Sequence, residues 1–246
     1  MKDKVVLVTG GTRGIGRGIA ERFAALGAQV VICGRTPPDW SAEAISFVAA
    51  DLRETDGVDR VFEAVVTRHG RLDVLVNNAG GSPPADAATA SPRFVAKIVA
   101  LNLTAPLWCA QAAYRVMREQ AEGGVIIQIA STSGLRPSPG TAAYGAAKAG
   151  LINATRSLAV EWAPHVRVNA ISPGLVLTEQ ARRHYGDAAD TAAAMVPLGR
   201  LATPQDVADA CVYLASPAAA YVTGTNLVLD GGGERPALLE AEEDAP

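Results

Sequence analysis

Thr9-Gly10-Gly11-Thr12-Arg13-Gly14-Ile15-Gly16 lies where two sequence periodicities meet. Before it, Lys4-Val5-Val6-Leu7-Val8 is short and almost continuously apolar, the pattern of a strand buried on both faces. After it, Ile15, Ile19, Phe23 and Leu26 recur at helical spacing. The glycines therefore make the tight turn between a strand and a helix. Gln29-Val30-Val31-Ile32-Cys33 follows Gly27-Ala28 as a second buried strand, so the chain opens a βαβ unit with a right-handed crossover. A glycine turn in this position lets backbone approach a pyrophosphate, and the N–H groups of the new helix are donors for the anion. Gly10, Thr12, Arg13, Gly14, Ile15 and Gly16 are thus candidate phosphate-binding residues.

The same alternation continues outward. Strand-like runs recur at Ser46 to Ala50, Leu72 to Val76, Val125 to Ala130 and Asn226 to Asp230, separated by helical patterns over Val58 to Val66 and from Ser91-Pro92 through Ile98 and Leu101. No internal repeat or linker interrupts it. The expected architecture is a single α/β domain over residues 1–233, a doubly wound parallel sheet with helices on both faces. The chain has 246 residues and is 49% hydrophobic with only 5% aromatic residues, so the core must be built from Val, Leu, Ile and Ala. Between the second and third strands only Thr36-Pro37-Pro38-Asp39-Trp40 and a few further residues remain, too few for a full helix. The acidic tail 234–246 is expected to be partly disordered.

Composition also excludes some functions. Twenty-two basic and 25 acidic residues are interspersed without a basic block, which argues against a nucleic-acid partner. No apolar run reaches the ~18 residues of a membrane span and no signal peptide opens the chain, so the expected compartment is cytoplasmic. Cys33, Cys109 and Cys211 are far apart in apolar contexts and read as buried reduced thiols. His69, His165 and His184 have no ligand spacing, and no metal site is expected.

Tyr144 and Lys148 stand four residues apart in a helix-like run and leave the same face. A nearby ammonium favours tyrosinate, which would make Tyr144 a proton donor or acceptor near neutral pH. A surface Tyr and a solvated Lys would share the same spacing.

The glycine pattern T-G-x-x-x-G-x-G, Asn77-Asn78-Ala79-Gly80, Asn102, Ser131 thirteen residues before Tyr144, Lys148, and Arg167 to Gly174 stand in register along the chain. In these motifs the chain resembles the short-chain dehydrogenases/reductases, 3-oxoacyl reductases among them, over about residues 4 to 233. The resemblance implies a Rossmann-type fold, seven strands, and catalysis by Asn102, Ser131, Tyr144 and Lys148. Ser131 would hold the substrate oxygen, with Ser133 as the alternative serine. Asn102 would hold a water in a proton relay, and Lys148 would bind the nicotinamide ribose and, together with the positively charged oxidised nicotinamide, lower the Tyr144 pKa toward ~7. Asp51 and Leu52 would meet the adenine, with a plain turn role the alternative for Asp51. Asn78, Ala79 and Gly80 would line the adenosine side or support the central strand, with a purely structural role the alternative for Asn78. Pro173, Gly174, Val176 and Thr178 would shape the nicotinamide pocket.

At the end of the second strand, where an acidic residue would repel a 2′-phosphate, the chain has Gly34 and then Arg35. With Arg13, this predicts NADP(H) over NAD(H). The expected activity interconverts a ketone and a secondary alcohol. A 3-oxoacyl-thioester reductase and a non-catalytic dinucleotide-binding regulator are the alternatives. Residues 179–197, with His184, Tyr185 and Met195, would form a substrate lid, and Gly81 to Pro84 and Leu135 to Pro137 further walls. The resemblance also implies a homotetramer or dimer, with Trp108 and Trp162 placed either at that contact or in the core.

Overall fold

The computed structural model describes residues 1–185 and 188–233, with the side chains of 183–188 outside the description. Strands β1 (Val5–Thr9), β2 (Gln29–Gly34), β3 (Ile45–Ala49), β4 (Val74–Asn77), β5 (Gly124–Ile129), β6 (Val166–Pro173) and β7 (Asn226–Leu229) pair in the order β3-β2-β1-β4-β5-β6-β7. Every pairing is parallel. The third strand begins and ends one residue earlier than its apolar pattern suggested.

The continuous apolar runs become intelligible once the strand period of two divides them between two faces. Val5 and Leu7 of β1, Leu75 of β4 and Ile126 of β5 enter one core layer, under α2 (Thr55–His69), α4 (Ala105–Met117) and α5 (Ala142–Trp162). Val6, Val8, Val74, Val76, Val125 and Ile127 enter the other, under α1 (Gly14–Ala25) and α8 (Pro204–Ala215). A strand with helices on both sides has no polar face to show. Leu7, Leu75, Ile126 and Ile127 are fully buried, each contributing about 2–3 kcal/mol.

Local chemistry sets the ends of the helices. Ser91 caps α3 (Pro92–Val99) by accepting from the Phe94 N–H at 3.2 Å. Thr203 and Asp206 form a reciprocal capping box at α8. Helix α3 passes through a π-helical turn, Ala100–Thr104, directly into α4. By length and composition the run Pro92–Met117 could cross a membrane, contrary to the sequence expectation, an 18-residue window of it having mean hydropathy 1.3. In the fold, Ala105, Cys109, Ala110, Ala113 and Met117 on this run belong to the core layer against the sheet.

No helix lies between β2 and β3, as the short sequence there required. After β6 come two short helices, α6 (Glu179–Tyr185) and α7 (Ala188–Ala194). The tail expectation, 234–246, falls outside the described residues, as do the side chains of His184 and Tyr185. Strand order reverses between β1 and β4, and in such a sheet the crevice beyond the carboxyl ends at that point is where ligands bind.

Candidate active site

A cleft of about 1370 Å³ opens there. Its floor is the glycine turn. Gly10 has φ +63°, and a Cβ on it would stand 2.9 Å from the Ala79 Cα, while one on Gly16 would stand 2.3 Å from the Gly10 carbonyl oxygen. Only glycine lets the turn close under α1 and against the end of β4. Thr9 Oγ1 accepts from the Asn78 and Ala79 N–H groups at 2.9 and 3.0 Å. Asn78 Nδ2 returns hydrogen bonds to the Thr9 and Gly10 carbonyls at 2.9 and 3.2 Å. The side chain of Asn78 is thereby committed to holding two loops together.

Thr12, Arg13, Gly14, Ile15 and Arg35 line one end of the cleft with Asp51 and Leu52. Asp51 accepts from the Arg53 N–H at 3.1 Å and is bridged by the Arg53 guanidinium, the turn role left open by the sequence. Hydrogen bonding to Arg53 holds its carboxyl below the usual range against the opposing pull of burial, with a smaller contribution from Arg35. Ala79, Gly80, Pro173, Gly174, Val176 and Thr178 continue the wall. The Thr178 hydroxyl accepts from the Ala181 N–H at 3.1 Å and so starts α6, leaving its methyl 3.4 Å from where a Gly14 Cβ would stand. These surfaces fit a dinucleotide: a cradle free of Cβ atoms, the N-terminus of α1, and two arginines at its far end.

At the other end of the cleft stand Ser131, Tyr144 and Lys148. Ser131 follows β5, and its Oγ caps a 3-10 turn by accepting from the Ser133 N–H at 3.1 Å, while its side chain stands close enough to the Tyr144 phenol to act on its proton. Ser133 contributes its backbone N–H to this turn and, like Ser131, lines the cleft. Two glycines permit the approach: a Cβ on Gly145 would lie 2.8 Å from the Ser133 carbonyl oxygen, and one on Gly134 would lie 2.7 Å from the Ala149 nitrogen. The turn thus rests directly on the backbone of α5. Close approach rather than helix propensity explains Gly145, a signal present in the sequence beside Tyr144 and not used above.

Lys148 is buried and donates to the Ile129 carbonyl at 2.7 Å, with its Nζ 5.6 Å from the Tyr144 ring centroid. Burial pulls its pKa down to about 8. Burial pushes the Tyr144 phenol up, and the nearby Ser131 side chain works in the opposite direction. The expected fall toward neutrality is therefore not produced by the protein's own groups. The ammonium faces the ring and a carbonyl, and desolvation of a phenolate outweighs what remains.

Asn102, in the π-helical turn, lies behind the cleft wall and is fully buried. It donates to the Ile98 and Gly81 carbonyls at 2.9 and 3.0 Å and accepts from the Gly81 N–H at 2.9 Å. A Cβ on Gly80 would meet Asn102 Oδ1 at 2.7 Å and Lys148 Nζ at 3.3 Å. Asn102 thus fixes the Gly80-Gly81 backbone against Lys148.

A family profile described as enoyl-(acyl carrier protein) reductase matches residues 10–234. The chain belongs to the short-chain dehydrogenase/reductase family. An uncharacterised oxidoreductase of Mycobacterium tuberculosis is 40% identical over 94% of this chain and 92% of its own length. The ligand-free structure of Thermoplasma acidophilum aldohexose dehydrogenase has a TM-score of 0.90 at 30% identity, covering 94% of each chain. A structure of ElxO with NADP bound has a TM-score of 0.87 at 31% identity, covering 94% of this chain and 98% of its own. This short-chain dehydrogenase/reductase is accordingly an oxidoreductase that acts on CH–OH groups.

Two further residues complete the surroundings. Trp40 donates its indole N–H to the Thr12 carbonyl at 2.8 Å, and Arg17 also lines the cleft. Neither had a periodicity to reveal it. Trp162 is buried and stacks on Tyr114 with ring centroids 4.6 Å apart, while Trp108 packs partly buried against the same layer; both supply core packing.

Proposed function

We propose that this enzyme interconverts an apolar ketone and its secondary alcohol with NADP(H), with Tyr144 exchanging the proton. The observation that carries the reading is Tyr144 beside Ser131 and one helical turn from buried Lys148, all three lining the same cleft of about 1370 Å³ as the glycine turn. Bound NADP(H) would supply the hydride donor or acceptor and, oxidised, a positive ring near Tyr144. Ser131 then donates to or accepts from the substrate oxygen and fixes it beside Tyr144. Tyr144 gives up its hydroxyl proton as the alkoxide forms and regains it in the reverse direction. Lys148 holds positive charge at the cofactor ribose, and Asn102 keeps the Gly80-Gly81 wall in place so that Lys148 stays aimed.

Arg13 and Arg35 support the preference for the 2′-phosphate, since both line the far end of the cleft. The substrate class follows from a side pocket of about 180 Å³ that shares Gly174 and Leu175 with the main cleft. Leu135, Leu175 and Met195 line it while remaining 48, 41 and 45% exposed. Large apolar side chains converging on one opening mark a surface meant to be covered. Ala192 of α7 lines this opening and Glu179 to Ala181 of α6 line the main cleft beside it, so the two helices would form the substrate lid. Arg136, in the same wall, is the observation that favours a 3-oxoacyl thioester as a second reading.

A panel of ketones, sugars and acetoacetyl-CoA run with NADPH and with NADH tests the proposal. The expected result is turnover of apolar ketones with NADPH at an efficiency at least about tenfold above NADH. Equal efficiency with the two cofactors would remove the 2′-phosphate reading, and turnover of sugars alone would remove the apolar substrate.

A further inference from the structure

The missing helix between β2 and β3 has a structural consequence. Residues 35–44 fold back over the glycine turn, and Trp40 is the large side chain they bring there. Its ring packs against the same core layer as Ile45 and Phe47, so the indole is held from below. Its N–H meets the Thr12 carbonyl, which is half of the Thr12–Arg13 peptide group, and thereby sets the plane from which Arg13 departs. Arg13 is the extended N-cap of α1, and its carbonyl accepts from the Arg17 N–H at 3.2 Å. Both arginines line the cleft beside the glycine turn. The Arg17 guanidinium lies 4.9 Å from the centroid of the Trp40 ring, within cation–π range. Glu21 takes its Nε at 2.8 Å, and Glu179 and Asp39 add to the negative field around it. Glu21 holds the Nε side of the guanidinium while the Trp40 ring holds its face.

We infer that Trp40 is a positioning residue for the 2′-phosphate of the cofactor, acting on Arg13 through the Thr12 carbonyl and on Arg17 through its ring. The inference rests on the NADP(H) reading above and adds Arg17 to Arg13 and Arg35 as a cation of that subsite. Direct contact between Trp40 and the phosphate is not required. What Trp40 contributes is the orientation of two guanidinium groups, which is what geometry-sensitive recognition of a phosphate by arginine depends on.

Calorimetric titration of the full chain with adenosine 2′,5′-bisphosphate and with 5′-AMP isolates the effect from catalysis. Trp40→Ala removes both contacts, and Trp40→Phe removes the N–H while keeping a ring. The expected result is a bisphosphate affinity about tenfold weaker in Trp40→Ala and about threefold weaker in Trp40→Phe, with 5′-AMP changed by less than about twofold in each. In an Arg17→Gln background the further loss on Trp40→Ala should shrink, because the two side chains act together. Equal weakening of both ligands would make Trp40 a structural support only and overturn the inference. So would an unchanged preference in Trp40→Phe, the decisive variant should Trp40→Ala not fold. An unmodified protein that binds both fragments equally would remove the NADP(H) reading and this inference with it.

Discussion

Gly145→Ala separates stability from catalysis in a way that the geometry makes quantitative. The added methyl would lie 2.8 Å from the Ser133 carbonyl oxygen and 3.0 Å from the Ser138 Cβ, whereas ordinary contact begins at 3.4 Å. One of the two backbones must therefore retreat by about 0.6 Å. Helix α5 is 21 residues long and packed on the sheet, so the Ser131–Gly134 turn is the part that yields. Alanine is favoured over glycine inside a helix by about 1 kcal/mol, which offsets much of the strain. The Ser131 oxygen moves with its turn relative to Tyr144, and a misplacement of about 1 Å in a catalytic constellation costs about 10²-fold. We expect kcat to fall by about tenfold to thirtyfold with the melting temperature within a few degrees of the unsubstituted protein. Steady-state kinetics beside thermal denaturation reads both. Activity within twofold at unchanged stability would refute the claim that backbone contact between this turn and α5 sets the Ser131–Tyr144 distance.

Two further substitutions probe buried charge. Lys148 has a folded-state pKa of about 8, below its ordinary value near 10.4, so the unfolded chain binds more protons between those values and stability rises with pH across that window. Lys148→Met should remove activity, gain about 1–3 kcal/mol at pH 7, and lose most of that advantage by pH 10, as guanidinium denaturation at several pH values would show. At the amino ends of the central strands, away from the cleft, Asp73 accepts from the Val5 N–H at 2.8 Å and pairs with Lys4 and Arg71 at 3.1 and 2.6 Å. Burial raises its pKa, but the bonds from Arg71, Val5 and Lys4 together hold it below the ordinary value. Its stabilisation is therefore complete above the unfolded carboxylate value near ~3.9 and disappears as pH falls through the lower folded value. Asp73→Asn should cost about 2 kcal/mol at pH 7 in urea denaturation, discounted for the partly exposed cations, and flatten the acid side of the stability profile.

Much of this architecture is legible in the sequence because burial and turn chemistry impose strict patterns. The glycine turn could only be placed between strand and helix, and uninterrupted valines before it could only be covered on both faces. Ser91 before Pro92 marked a helix start that the structure reproduces. What was not legible depends on contacts between distant segments. The bond from Trp40 to Thr12 exists because the chain between β2 and β3 is short, and no periodicity announces it. Asn102 could be expected near the cleft from its register, but its three bonds to Ile98 and Gly81 arise from the π-helical turn. How the protein's own groups act on Tyr144 was hidden for a related reason. Spacing reveals that Lys148 shares its helix face, yet not that burial of the phenol dominates or that the ammonium turns to the Ile129 carbonyl.

The most direct test of the central claim is turnover and NADPH binding in Tyr144→Phe, which removes one hydroxyl and keeps the ring beside Lys148. The account predicts NADPH affinity within about threefold of the unsubstituted enzyme and ketone reduction slower by about 10³-fold, in the range of a lost general acid. Reduction retained within about tenfold, with NADPH still bound, would contradict the assignment of the proton to Tyr144.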